Sequence, residues 1–263
     1  FLNGEIDLEG ILDLSKQYPK VDLNYDVDIP NLRTFLSVIS EHNAFNNQLN
    51  GFMQMAGQIS YDFNSDMPVS ATSIINQFHL NNYGRDLTLR RPTQIEIEQS
   101  EIKKLNFLLE GSGGRYYVTG TGNVDSRFEL IQELDINLSY LTLLTSEIER
   151  ILGNIKGRGI IYGNRRNYDI SHSFSTSGFG LKLKSIPLEI ANANGIGAYR
   201  DKKILINSLS GELGSGRFDL SGYIKANFPF PEVYLNADYS DVGYQVESRS
   251  LINTDGKLSF SGK

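Results

Sequence analysis

The chain has 263 residues, 40% hydrophobic and 21% charged, which is enough apolar mass for a folded core and too much for a disordered chain. It has no cysteine, and this excludes disulfides, thiol catalysis and cysteine-based metal sites. The net charge is −6 and the basic residues are scattered, so we expect no nucleic-acid partner.

Internal repetition is the main signal along the chain. Six segments place two glycines at the ends of a seven-residue frame, where about two such frames are expected by chance. The frames are GEIDLEG (4–10), GFMQMAG (51–57), GRYYVTG (114–120), GRGIIYG (157–163), GRFDLSG (216–222) and GKLSFSG (256–262). An alternating segment follows every first frame of a pair, namely VDLNYDVDI (21–29), ELDINLSY (133–140) and EVYLNADY (232–239).

The order of frame, alternating segment and second frame recurs with a period of about 100 residues. We therefore expect repeat units at about 1–110, 111–213 and 214–263. No linker rich in proline or serine separates them, so residues 1–263 should form one continuous repetitive segment of a longer protein. Two or three duplicated β-domains lying side by side are the alternative.

The alternating segments predict strands with one apolar and one hydrated face. In residues 21–29 every odd position is apolar and every even position is Asp or Asn. Similar alternation occurs at 53–63, 95–98, 134–139, 181–184, 218–220 and 258–260, whereas 65–91 and 164–179 depart from the repeat pattern. About 15–18 antiparallel strands result, and a sheet of that length should curl into a trough or close into a barrel or sandwich.

Two short helices are predicted between an alternating segment and a second frame. Pro30 precedes NLRTFLSVISE (31–41), whose apolar residues have helical spacing. LTLLTSEIERILG (141–153) has the same character, with Gly153 as a plausible stop. We favour a structural role, in which each helix plugs one end or edge of the sheet, over gating or partner binding.

No catalytic constellation is present in the sequence. His42, His79 and His172 have no metal-type spacing and are expected at the surface or in loops. The glycine-rich GSGGR (111–115) lacks the Lys-Ser/Thr of a phosphate loop and leads into a strand. Carboxylate pairs such as Asp26 and Asp28 lie on the hydrated face of a strand. We expect no enzyme activity, no metal site and no cofactor.

The ordered segments resemble the repeat of the TamB and wider AsmA-like proteins. The resemblance is carried by the glycine-framed strands GRFDLSG and GKLSFSG, by the strand that enters a Leu-rich helix in VDLNYDVDIPNLRTFLSVIS, and by the return to a frame in LNGFMQMAGQISYDF. It implies a long antiparallel sheet curled into an open, taco-like groove in the periplasm. It also implies an inner-membrane anchor, phospholipid transfer between the inner and outer membranes, and a BamA-type outer-membrane barrel partner at the C-terminus of the full-length protein.

An open apolar groove suits acyl chains, because each buried CH₂ group contributes about 0.8 kcal/mol. The candidate lipid-groove residues are the apolar members of the alternating strands. They are Ile6, Leu8, Val21, Leu23, Tyr25, Val27, Met53, Met55, Ile59, Ile95, Ile97, Tyr116, Val118, Leu134, Ile136, Leu138, Leu181, Leu183, Phe218, Leu220, Val233, Leu235, Leu258 and Phe260. Two other functions stay open, an outer-membrane protein assembly module that pairs through its sheet edges and a structural β-sandwich or solenoid stalk with a closed core.

Overall fold

The computed structural model describes residues 4–15, 19–34, 49–63, 70–143, 148–185, 189–225, 232–246 and 249–262. These residues form sixteen strands: β1 (Glu5–Asp13), β2 (Lys20–Ile29), β3 (Leu49–Asp62), β4 (Ser70–Asn82), β5 (Arg85–Leu89), β6 (Thr93–Glu98), β7 (Glu101–Gly111), β8 (Gly114–Asn123), β9 (Arg127–Asn137), β10 (Ile148–Asn164), β11 (Asn167–Leu183), β12 (Glu189–Arg200), β13 (Lys203–Leu213), β14 (Gly216–Lys225), β15 (Glu232–Val246) and β16 (Arg249–Gly262). A 3₁₀ helix covers Leu138–Leu143, and residues 32–34 are helical.

The strands belong to one sheet in which sequence neighbours are usually hydrogen-bonded neighbours. The order runs from β1 to β16, except that β5 and β6 share the space between β4 and β7. Every pairing with a described register is antiparallel, as between β1 and β2 or β15 and β16. The predicted mainly-β, antiparallel fold class is therefore confirmed.

The glycine frames occupy the outer strands of three triplets of neighbouring strands. The frames lie in β1 and β3, in β8 and β10, and in β14 and β16, while the alternating segments lie in β2, β9 and β15 between them. In the first triplet Gly10 is opposite Leu23, and in the third triplet Gly222 is opposite Leu235. The sequence repeat thus corresponds to a three-stranded meander.

The predicted helices differ from the observed elements. Only residues 31–34 of the first predicted helix are described; residues 32–34 are helical, and 35–41 lie outside the described residues. The second prediction, 141–153, is wrong over its C-terminal half because β10 begins at Ile148. Strand pairing outweighs the helical spacing there, since Arg150 reaches Glu189 across the sheet. Gly153 is not a helix stop but a strand residue with φ of 99°.

The chain divides into two compact units. The first unit is Phe1–Glu133 with Ile160–Tyr168, and the second unit is Leu134–Gly159 with Asp169–Lys263. These limits differ from the expected repeat limits near residues 110 and 213, so the repeat units remain a prediction.

The sheet of the first unit is curved. Six steps of about 4.8 Å separate β3 from β10 along the sheet, a path of about 29 Å. Nevertheless the guanidinium of Arg165, in the turn after β10, lies 6.0 Å from the ring centroid of Tyr61 on β3. The same turn is held by a backbone hydrogen bond of 2.7 Å from Arg165 N–H to the Val124 carbonyl, and Val124 N–H donates to Ser100 at 2.7 Å.

The buried apolar side chains of each unit concentrate at one end of its strands, which we call the helical end. This is the end at which β2 runs into residues 32–34 and β9 runs into the 3₁₀ helix. In the first unit they are Ile29, Leu32, Leu49, Leu87, Leu89 and Leu109. In the second unit they are Leu138, Tyr140, Ile151, Ala193, Phe218 and Val242, and Ala198, near the other end of β12, is the one exception among the described residues. Each helical piece therefore marks the end of the strands that carries the core.

Candidate lipid-binding face

The strand registers of the first unit gather its predicted groove residues on one face of the sheet, which we call the apolar face. Residues directly opposite each other in an antiparallel pair point to the same side. Ile6 is opposite Val27, and Val27 is in turn opposite Met55 on β3. The same reasoning through β4, β6, β7 and β8 places on this face Ile6, Leu8, Val21, Leu23, Tyr25, Val27, Met53, Met55, Ile59, Ile95, Ile97, Tyr116 and Val118.

The second unit has the same arrangement. Leu220 is opposite Ala237, and Ala237 is opposite Leu258 on the last strand. The registers from β11 to β16 place on one apolar face Leu181, Leu183, Phe218, Leu220, Val233, Leu235, Leu258 and Phe260. These strands therefore form an apolar surface several strands wide.

The three remaining predicted groove residues lie on or after β9. Leu134 and Ile136 alternate with Asp135, whose carboxylate pairs with Lys156 at 2.9 Å on the opposite, polar face. Leu138 is not a strand residue, because the 3₁₀ helix begins there, and its side chain is buried. The position predicted for groove contact at Leu138 therefore belongs to the core of the helical end.

The face opposite the apolar face carries charged and amide side chains that bond across strands. Arg90 Nε lies 2.8 Å from Glu110 Oε2, and Lys257 Nζ lies 3.2 Å from Asp238 Oδ1. Exposed pairs of this kind contribute little to stability. Together with the alternation along the strands, they mark this side of the sheet as its polar face.

Sequence alternation missed several members of the apolar face. They include Ile75, Phe78, Leu105, Phe107, Phe174 and Leu209. In β4 the pairing shifts between Gln54 and Met55, which leaves Asn76 as an extra residue and changes the phase of the alternation. Ile75 and Phe78 thus share a face although they are three residues apart. The failure of the repeat pattern over residues 65–91 is the sequence signal that could have indicated this bulge, and with it the positions of Ile75 and Phe78.

Glycines on the apolar face lie beneath aromatic rings of the neighbouring strand. A Cβ atom at Gly256 would lie 2.5 Å from the hydroxyl oxygen of Tyr239, and one at Gly197 would lie 2.6 Å from the Phe174 ring. Gly57 has the same relation to Tyr25. Rings that lie across glycines pack directly against the backbone of the neighbouring strand.

In each unit most side chains of the apolar face are half-buried, and those on the edge strand, β1 in the first unit and β16 in the second, are exposed. Leu8 on β1 is 62% exposed, and Leu258 and Phe260 on β16 are each 61% exposed. All sixteen described strands belong to one sheet. Burial raises the pKa of Tyr116, which lies on the central part of the face.

Two of the three histidines lie in strands, and the expectation of surface or loop positions is wrong for His172. It is half-buried on the apolar face of β11, and its Nε2 has no hydrogen-bond partner in the described residues. Desolvation lowers the pKa of His172, against the opposing effect of a hydrogen bond with the Ser173 backbone. His79 Nε2 lies 3.1 Å from Asp86 Oδ1 on the polar face, and His42 lies outside the described residues.

Asp86 connects two hairpin turns at the helical end. Its carboxylate accepts hydrogen bonds from Asn81 and from His79, in that order of effect, and they hold the pKa of Asp86 below its usual value. The Asp86 carbonyl accepts a 2.7 Å bond from Gly113 N–H, and its own N–H donates to Ser112 Oγ. These contacts tie the two turns together. Among the described residues, no group of three or more His, Asp or Glu side chains is placed to hold a metal.

Comparison with protein-family models, with curated proteins and with solved structures gives no match to this chain. Among the described residues, no helix combines the length and the apolar character that a membrane crossing requires.

Proposed function

We propose that this chain is a segment of a phospholipid conduit whose apolar face carries acyl chains. The observation that supports this most directly is the common orientation of the apolar side chains of successive strands, together with the exposure of Leu8, Leu258 and Phe260 on the edge strands. Exposed apolar surface of this extent in a folded protein commonly marks a binding surface.

The energetics favour a hydrocarbon occupant. Each CH₂ group that leaves water contributes about 0.8 kcal/mol, so an acyl chain of about sixteen carbons gains on the order of 10 kcal/mol when fully covered. Half-buried side chains along the face provide that cover without a specific pocket. Because neighbouring strands offer similar leucine, isoleucine and aromatic surfaces, a chain can move between them with little change in energy.

The polar side of the lipid needs no dedicated site in this proposal. A headgroup remains in solvent at the edge of the face, where side chains such as Leu8 and Leu258 are exposed. The chain performs no catalytic step and uses no cofactor in this scheme.

The wider setting follows from the resemblance to TamB and AsmA-like proteins. In it the segment belongs to an envelope-spanning groove in the periplasm, within a protein anchored in the inner membrane. Phospholipid moves between the inner and outer membranes, and the C-terminus of the full-length protein contacts a BamA-type barrel.

Photo-crosslinking from paired positions tests the proposal. A photoreactive residue at Ile136 or Leu220 lies on the apolar side, and one at Asp135 or Asp219 lies on the polar side of the same strand. We expect phospholipid adducts in cells from the two apolar positions, Ile136 and Leu220. The two polar positions, Asp135 and Asp219, should give at least tenfold fewer adducts. Mass spectrometry of the crosslinked protein identifies the adducts.

Equal labelling of both faces, or labelling of neither, would contradict the proposal. Native mass spectrometry of the purified chain gives a second readout, since a conduit should retain phospholipid or take up a fluorescent fatty acid. A chain that stays free of lipid in both measurements has a closed core and fits the structural-stalk alternative.

A further inference from the structure

The end of the second unit opposite its helical end carries a row of like charges on the polar face. Arg200 is directly opposite Lys203, and Lys203 is directly opposite Lys225. Their strand neighbours Ile204 and Ile224 point to the apolar face, so the three basic side chains share the other side. Like charges opposite each other destabilise a sheet.

Nearby carboxylates balance this charge only in part. Glu232 is opposite Lys225, and its Oε2 lies 3.8 Å from Lys225 Nζ. The hairpin turn between β12 and β13 adds one acid and one base, Asp201 and Lys202. Four basic groups and two acidic groups thus lie at this end of β12, β13, β14 and β15, in a chain whose total charge is −6.

Two tyrosines lie beside the basic row on the same face. Tyr223 and Tyr234 are opposite each other, with ring centroids 5.7 Å apart in a stacked arrangement. Lys203 Nζ lies 4.7 Å from the centroid of the Tyr223 ring, and the Tyr223 hydroxyl donates to Glu232 at 3.0 Å. Tyr234 is 44% exposed. We call these residues (Arg200, Lys202, Lys203, Lys225, Tyr223 and Tyr234) the basic-aromatic patch.

We propose that the basic-aromatic patch docks this end of the second unit on the anionic headgroups of a phospholipid membrane. Lysine and arginine near a membrane surface are attracted to anionic lipids, and tyrosine rings favour the headgroup region. Lysine stems also cover apolar surface while their ammonium groups stay with the phosphates.

The position of the patch gives the docking a consequence for the apolar face. Lys203 and Lys225 are terminal residues of β13 and β14, so the ends of the strands meet the membrane. Ile204, Ile224 and Val233 occupy the same end of the apolar face. Docking brings this end of the apolar face next to membrane lipid, and in this respect the inference rests on the proposed conduit function. The docking itself depends on the patch and not on the residues of the apolar face.

Vesicle co-sedimentation of the chain tests the inference. The chain should bind vesicles of phosphatidylcholine with about a quarter phosphatidylglycerol, and much less those of phosphatidylcholine alone. Because one surface charge contributes about fivefold in partitioning, we expect the double variant Lys203→Gln/Lys225→Gln to bind on the order of 25-fold more weakly. Raising the salt concentration should also weaken binding to the anionic vesicles, because salt screens the charges of the patch.

The matched control is Lys156→Gln/Lys257→Gln, which removes the same charge from lysines that pair with Asp135 and Asp238. It should bind anionic vesicles like the parent chain. Failure of the parent to bind, or equal losses in the two double variants, overturns the inference. Binding of a single-stranded oligonucleotide in place of vesicles also overturns it, because the patch would then serve a nucleic acid.

The two proposals can fail separately. Lipid adducts from Leu220 report on the apolar face, whereas sedimentation reports on the patch. If adducts form but the parent chain ignores anionic vesicles, only the docking inference fails. If vesicles bind through the patch but no adduct forms, only the conduit proposal fails.

Discussion

The helical end and the open edges of the apolar face are made of the same residue types but differ in burial. Leu49, at the helical end of the first unit, is 0% exposed, while Leu258, on the edge strand of the second, is 61% exposed. At the helical end Leu32 reaches over Gly51 and closes the surface. Among the described residues Leu258 has no such cover. Alternation therefore sets which face is apolar, and the elements that follow a strand set whether it is buried.

Truncating one leucine from each region gives the largest expected difference. Leu49→Ala should lower the free energy of unfolding by about 2–5 kcal/mol, because it leaves a cavity in a closed site. Leu258→Ala should cost less than about 1 kcal/mol, because water already reaches that side chain. Urea denaturation followed by far-UV circular dichroism measures both. Equal losses would mean that the edge is covered, and the open-face interpretation would be wrong.

A glycine under an aromatic ring sharpens the comparison, because it tests how the open edge is packed. Gly256→Ala places a methyl group against the Tyr239 ring, which must move off the sheet. We expect a loss of about 1–2 kcal/mol, typical of overpacking. Gly262→Ala on the same strand is the control, since its Cβ would meet Phe260 at an ordinary 3.5 Å.

Thermal unfolding monitored by circular dichroism compares these variants. Adding Tyr239→Ala to Gly256→Ala removes the clash. The double variant should therefore lose less stability than the sum of the losses of the two single variants. Strict additivity would show that the ring does not pack on the glycine.

The strand pattern was readable from the sequence because side-chain alternation is a local property. Residues 21–29 and 258–260 lie in strands with their apolar members on one face, as the alternation indicates. The extra residue Asn76 and the strand that replaces a helix after Ile148 were not readable. A bulge and a change from helix to strand depend on partners far along the chain. The basic-aromatic patch was missed for the same reason, since Lys203 and Lys225 meet only through strand pairing.

His172 gives the smallest expected effect and reports on the region between the buried end and the open edges. Its ring lies against Gly157 on the apolar face, and desolvation lowers its pKa. The unfolded chain then binds this proton more readily than the folded chain. The contribution of His172 to stability is therefore complete above about pH 6.5 and is lost as pH falls from there through the folded pKa. His172→Phe keeps the ring and removes the titration, so its unfolding temperature should fall less between pH 7.5 and 5, by about a degree or two.

The titration of His172 by NMR separates a dry face from a wet one. A folded pKa below the usual value of about 6.5 is expected where the ring is desolvated. Asp86 also loses stabilising bonds in acid, but because its pKa is lowered from 3.8 that loss occurs at more acidic pH and does not overlap. A pKa of His172 at or above the usual value would mean that water fills the central part of the face. Acyl chains would then have to displace ordered water there, and the apolar stripe could act as a conduit only along its exposed edges.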